Sequence, residues 1–170
     1  MKKEWQEEFL EKQNELIRAI AQQVSNTIPD EWKEFYFHAD INDDFSGGVY
    51  FFFNTKESTD YIYSEDIPEI YNVNEDEYYE RWDKLYKLSK SLKQLFIEYE
   101  QVLWQAITII VDEKRTLKMD YDYTEWLGSS FGHNEMIDYF EYKYLGKVHG
   151  DKEEEELFKE MEEYQKRFNE

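Results

Sequence analysis

The chain has 170 residues, with 40 aspartates and glutamates against 20 lysines and arginines and a formal charge of −20. Such a charge repels nucleic acid and anionic membrane and favours basic partners, while 41% hydrophobic and 19% aromatic residues exclude a disordered acidic chain and fit one packed domain. With no cysteine there is no disulfide frame, thiolate metal site or cysteine nucleophile, and with no apolar run suited to a signal or a membrane span the expectation is a cytoplasmic protein without a membrane partner.

Trp5, Phe9, Leu16, Ile17, Ile20 and Val24 recur at three- and four-residue steps, which predicts an amphipathic helix ending near Pro29. Glu34 to Asn54, "EFYFHADINDDFSGGVYFFFN", reads as a hairpin around a polar turn. Strand alternation puts Phe35, Phe37, Ala39 and Ile41 on one face and Tyr36, His38 and Asp40 on the other. In the second strand Val49, Phe51 and Phe53 oppose Tyr50, Phe52 and Asn54. Neither face is simply wet. A short strand follows at Tyr61 to Tyr63, closed by Pro68.

Asn74, with Glu77 three residues on, opens a long helix whose stripe is Tyr78, Trp82, Leu85, Leu88, Leu92, Leu95, Phe96 and Tyr99. Trp104 to Tyr121 is a second hairpin: its first strand is apolar on both faces, as a central strand is, and its second alternates. "EMIDYFEYKYLG" suits strand and helix alike. Leu157, Met161, Tyr164 and Phe168 mark an acidic C-terminal helix after the hinge-like "GKVHGD".

The order of elements predicts an α+β fold, a mostly antiparallel sheet of two hairpins plus a short strand packed against helices. Residues 1–146 form the expected domain, and 147–170 the hinge and acidic helix. The first helix and the Asn74 helix are expected to cover one sheet face. Tyr50, Phe52 and Tyr36 on the other await the C-terminal segment or a partner.

Motifs for catalysis are weak. "DINDDF" starts like a calcium loop, but Phe45 stands where glycine is needed and Phe51 where a bidentate glutamate is needed, so it reads as a hairpin turn. His38, His133 and His149 are scattered, outside any metal-ligand spacing. Gly128, Ser130 and Gly132 have the spacing of a serine elbow, which requires a strand before it and a helix after it over a parallel sheet. Adjacent carboxylates arise by chance among 40 acids, and there is neither a phosphate loop nor a basic aromatic stripe. The reading is a non-enzyme without cofactor or metal, and without direct nucleic-acid contact.

"IPDEWKEFYFHADINDDFSGGVYFFFN", "YIYSEDIPEIYNVNEDEY", the Trp104 hairpin ending "KMDYDY" and "FEYKYLG" resemble, in that order, the YezG-like immunity proteins, from the first helix to about Gly146. Ile28-Pro29 with Trp32, Tyr63 to Pro68 and Tyr142 to Gly146 carry the resemblance most specifically. It implies a cytoplasmic antitoxin of low-GC Gram-positive bacteria that binds the nuclease domain of a polymorphic toxin of the type VII secretion route. It transfers no catalytic residues and no contact motif.

The charge agrees, because a nuclease cleft that holds a polyanion is basic and attracts an acidic inhibitor over long range. Acidic candidates for toxin contact are Asp43, Asp44, Glu65, Asp66, Asp120, Asp122 and the run Glu153, Glu154, Glu155 and Glu156. Aromatic candidates are Tyr50, Phe52, Tyr61 and Tyr63, since buried aromatic anchors rather than rim charges set affinity. The alternative is an adaptor domain that forms a homodimer through its tyrosine-rich sheet face, with no nuclease partner.

Overall fold

A computed structural model describes residues 4–148 and 150–169; His149, in the expected hinge, lies outside the described residues. The chain forms two compact units, Met1–Tyr121 and Asp122–Glu170. The first contains helix α1 (Glu4–Thr27), strands β1 (Trp32–Ile41), β2 (Gly47–Thr55) and β3 (Ile62–Tyr63), the short helix α2 (Ile67–Tyr71), helix α3 (Glu75–Glu98), and strands β4 (Ala106–Val111) and β5 (Leu117–Asp122), the last reaching the unit boundary. The strands make one antiparallel sheet in the order β3-β2-β1-β4-β5. The α+β expectation holds, with β1 at the centre.

Register follows the alternation. Phe35 lies opposite Phe53 and Val111, Phe37 opposite Phe51 and Ile109, and Ala39 opposite Val49 and Ile107, so these nine side chains share one face. All are buried. Each large one contributes roughly 1.5–3 kcal/mol by leaving water. Helices α1 and α3 meet over this side: Phe9 packs edge-on against Phe96 at 5.1 Å, and Phe96 against Trp104 at 6.2 Å. Tyr121 of β5 completes the cluster, 5.3 Å from Phe96. On the second face Tyr36 lies opposite Phe52 and Ile110, and His38 opposite Tyr50 and Thr108. It too is withdrawn from water, with Tyr50 at 6% and Phe52 at 4% exposure.

Lys93 ties helix to sheet. The α3 stripe brings its side chain into the core, where it is fully buried, and its ammonium donates to the carbonyls of Ile41 and Trp104 while pairing with Asp43 at 3.0 Å. These three acceptors come from the end of β1, the approach to β4 and the β1–β2 turn. A buried charge is tolerated only when so satisfied. The same turn needs Gly47: its φ is +139°, and a Cβ there would stand 1.8 Å from the Asp40 carbonyl oxygen.

Helix α3 begins as expected, with the Asn74 side chain accepting from Glu77 N at 3.1 Å. It ends in a Schellman motif: Glu100 N–H donates to Ile97 O and Gln101 N–H to Phe96 O. Here Glu100, not glycine, takes the left-handed φ of +52°.

In the second unit the ambiguous segment is helix α4 (His133–Leu145), followed by α5 (Lys152–Lys166). Glu135 Oε1 accepts from Gly132 N–H at 2.9 Å at the start of α4, and Asp151 caps α5 through Glu153 N. Tyr139 packs with Phe158 and Met161, and Trp126, Phe131, Met136 and Leu157 surround them. The acidic helix therefore shares a core with α4.

Replacing Lys93 with methionine removes the side-chain donor to the Ile41 and Trp104 carbonyls and the partner of Asp43 and is expected to cost about 3 kcal/mol, read as a lower urea midpoint. Glu100→Gly relieves a left-handed residue at an exposed helix end and is expected to stabilise by about 0.5–1 kcal/mol in the same assay.

Candidate functional site

Between Lys56 and Arg81 the sequence holds nine carboxylates and no basic residue. From Ser64 onward that stretch is held within the first unit by a few buried groups. After β3 a 3-10 turn, Ser64–Asp66, leads into α2, with Pro68 in the first turn where its missing N–H costs nothing. Ser64 is buried; its hydroxyl accepts from Phe51 N–H at 3.1 Å, and its carbonyl from the Tyr78 hydroxyl at 2.6 Å. Ile67 is fully buried beneath α2. Asn72 then adopts a left-handed φ of +52°, which ends α2 and lets Asn74 start α3.

Glu65, Asp66, Glu69, Glu75, Asp76, Glu77 and Glu80 are all left exposed. So are Ile70, at 55%, and Tyr79, at 48%. Acids in the first turn of α3 gain from its dipole. The other carboxylates repel one another without a cation from their own stretch, and this acidic ridge with two bare apolar side chains fits a basic partner. Burial, then the Asp30 carboxylate to which its hydroxyl donates at 2.9 Å, pushes Tyr71 up to about 12. It stays a neutral donor at the foot of the ridge.

Of the residues singled out from sequence, Glu65 and Asp66 lie on this ridge. Asp43 and Asp44 are exposed in the β1–β2 turn, and both have internal work. Asp43 accepts from Gln105 Nε2 at 3.0 Å and pairs with Lys93, which together lower its pKa. Asp44 accepts from the Ser46 hydroxyl at 2.5 Å and from Ser46 N–H at 3.0 Å, which lowers its pKa likewise. Tyr50, Phe52 and Tyr63 form one aromatic group, Phe52 stacking on Tyr63 at 5.0 Å and Tyr50 edge-on to Phe52 at 6.0 Å. Tyr61 packs edge-on to Tyr36 at 5.7 Å and donates its hydroxyl to Glu34.

Asp120 is half-buried on β5. Asp122 organises the second unit, accepting from Thr124, from Trp126 Nε1 at 2.8 Å and from Asn169 Nδ2 at 3.0 Å. In the first turns of α5, Glu153, Glu155 and Glu156 are exposed and Glu154 is half-buried. Ser130 is exposed and follows a 3-10 turn, Trp126–Gly128, where a serine elbow needs a strand. Among the described residues no three of His, Cys, Asp and Glu converge as metal ligands, and no helix is long and apolar enough to cross a membrane.

Sequence reading passed over Glu69, Ile70, Glu75, Asp76, Glu77, Tyr79 and Glu80. The gap in basic residues between Lys56 and Arg81 was the signal for them.

A family model described as "Immunity protein YezG-like" matches residues 13–159. The chain is 36% identical to the Immunity protein YezG of Bacillus spizizenii over 138 residues, covering 79% of this chain and 83% of that one. It is 32% identical to the Type VII secretion system protein EsaG of Staphylococcus aureus over 163 residues, 95% of this chain and 99% of that one. It is 32% identical to the Immunity protein YezG of Bacillus subtilis over 143 residues, 84% and 94%. The likeness continues past Gly146 into α5. The chain belongs to the YezG-like immunity protein family, whose name describes a protective protein and not an enzyme.

Because the folded pKa of Asp43 lies below the ordinary value of 3.8, the stability it adds is complete above that value and is lost as pH falls through the folded one. The difference in urea midpoint between wild type and Asp43→Asn is expected to narrow from about pH 6 to about pH 2.5.

Proposed function

We propose that this member of the YezG-like family is a cytoplasmic antitoxin that binds, one to one, the nuclease domain of a cognate toxin and blocks its activity. The observation that carries this reading is the acidic ridge from Glu65 to Glu80, seven exposed carboxylates with no base among them and with Ile70 and Tyr79 bare beside them. A nuclease holds a polyanion and so presents a basic cleft. The ridge matches it in sign. Ridge charges speed encounter, and apolar anchors hold the complex once formed.

The name of the staphylococcal relative, a type VII secretion system protein, supports a toxin exported by that route. Asp43, Asp44, Asp120, Asp122 and Glu153 to Glu156 add to the negative field, and the half-buried Tyr61 and Tyr63 are the further aromatic candidates for contact, Tyr50 and Phe52 being buried in the folded chain. Inhibition requires no chemistry from the inhibitor, only occupancy of the cleft or distortion of the nuclease.

Titrated into a nucleic-acid cleavage assay with the cognate nuclease domain, the protein is expected to abolish cleavage at about one equivalent. Reversing Glu65, Asp66 and Glu69 to lysine is expected to slow association about tenfold or more at low salt, with the difference shrinking as salt is added. Ile70→Ala with Tyr79→Ala is expected instead to speed dissociation. Cleavage that persists at several equivalents of wild-type protein, with no complex on a sizing column, would overturn the proposal.

A further inference from the structure

At the sheet end opposite the β1–β2 turn, the first unit has an open cleft of about 400 Å³ lined by Trp32, Lys33, Lys56, Glu113 and Arg115. Three cations face one carboxylate there, in a chain with two acids for every base. None of the three bases is ion-paired within 4 Å among the described residues. Arg115 is held rigidly. Its guanidinium lies 3.7 Å over the Trp32 ring and donates to the Lys33 and Trp32 carbonyls at 3.1 and 3.3 Å.

The hairpin that presents it is equally fixed: Asp112 accepts from Lys114 and Thr116 N–H, each at 2.9 Å, and Arg115 itself sits at a left-handed φ of +67°. An arginine immobilised in this way gives up little further entropy on binding an anion.

We infer that this cleft docks an acidic side chain, or an adjacent pair, on a loop of the toxin. The inference rests on the nuclease reading above. A polyanion is disfavoured by the −20 charge of the whole chain. A nucleobase has no platform, since one side of Trp32 carries Arg115 and Phe35 meets the ring edge-on at 4.8 Å. A carboxylate on a partner that is basic overall escapes both objections, because the net attraction brings it in and the cleft then receives the one group of opposite sign. Such a contact fixes register and rejects basic toxins lacking the acid.

The test uses Lys33→Glu with Lys56→Glu in the full chain, with the glutamine pair as the milder variant and Arg115 left in place because it braces β1. Association and dissociation rates are measured against the cognate nuclease domain, and melting temperature checks folding. The reversals make the protein more acidic, so long-range steering alone predicts equal or faster association and unchanged dissociation. The docking role predicts dissociation at least tenfold faster for the glutamate pair and a smaller rise for the glutamine pair. Unchanged dissociation in both folded variants overturns this inference and leaves the antitoxin reading standing. A wild-type protein that does not bind the nuclease domain overturns the antitoxin reading itself, and the docking assignment with it.

Discussion

The buried ammonium of Lys93 is the constraint around which the first unit is arranged. A charge with no exposure has to be surrounded by acceptors, and here they come from the end of β1, from Trp104 just before β4 and from Asp43 in the turn between β1 and β2. One side chain of α3 thus fixes the height of the helix over the sheet and the shape of two connections. The Trp104 ring lies 5.2 Å from that ammonium, and its Nε1 is buried with no acceptor among the described residues. Asp43 is consequently a structural carboxylate as well as a surface one, which separates it in kind from the acids of the ridge.

Much of the first unit was legible because strand geometry assigns successive residues to opposite faces, even where both faces are apolar. Phe35, Phe37 and Ala39 face the helices in register with Phe51, Phe53 and Val49, as a period of two dictates. The helix starts were legible through Asn74 and the apolar stripes. Helix α2 was not: it is five residues long, and Pro68, read as a stop for β3, is instead a starter for that helix. The segment around Tyr139 was undecidable because tyrosines suit both periods, and its helix is set by packing against Phe158 and Met161, contacts distant in sequence. Lys93 was invisible for a related reason. A lysine on a helical stripe reads as solvated until its acceptors are known.

The candidate surface was legible in composition but not in detail. Paired acids such as Glu65 and Asp66 catch the eye, yet the informative feature is a missing residue type, the absence of lysine and arginine from 57 to 80. Conversely, Asp122 looks like an ordinary strand-end acid and proves to be tied to Thr124, Trp126 and Asn169. Whether a carboxylate serves the fold or is spare for a partner depends on neighbours that only folding assembles.

Spare charge has a thermodynamic consequence that bears on function. Crowded carboxylates raise the free energy of the folded chain through mutual repulsion, which on the ridge is offset only in part, by the α3 dipole acting on Glu75, Asp76 and Glu77 and by the bases that begin at Arg81. A basic partner of the kind proposed would relieve that repulsion, so part of the drive to bind would be held in the free protein as unfavourable electrostatics. The cleft beside Arg115 has the reverse character, three bases and the single acid Glu113, with none of the bases ion-paired among the described residues although acids outnumber bases twofold. A cleft at one end of the sheet and a ridge on α2 and the start of α3, of opposite sign, define an orientation, which a uniformly acidic surface cannot do. A field of one sign would draw in any basic protein; with the docking proposed for the cleft, the added site of the other sign would let the complex favour one of them.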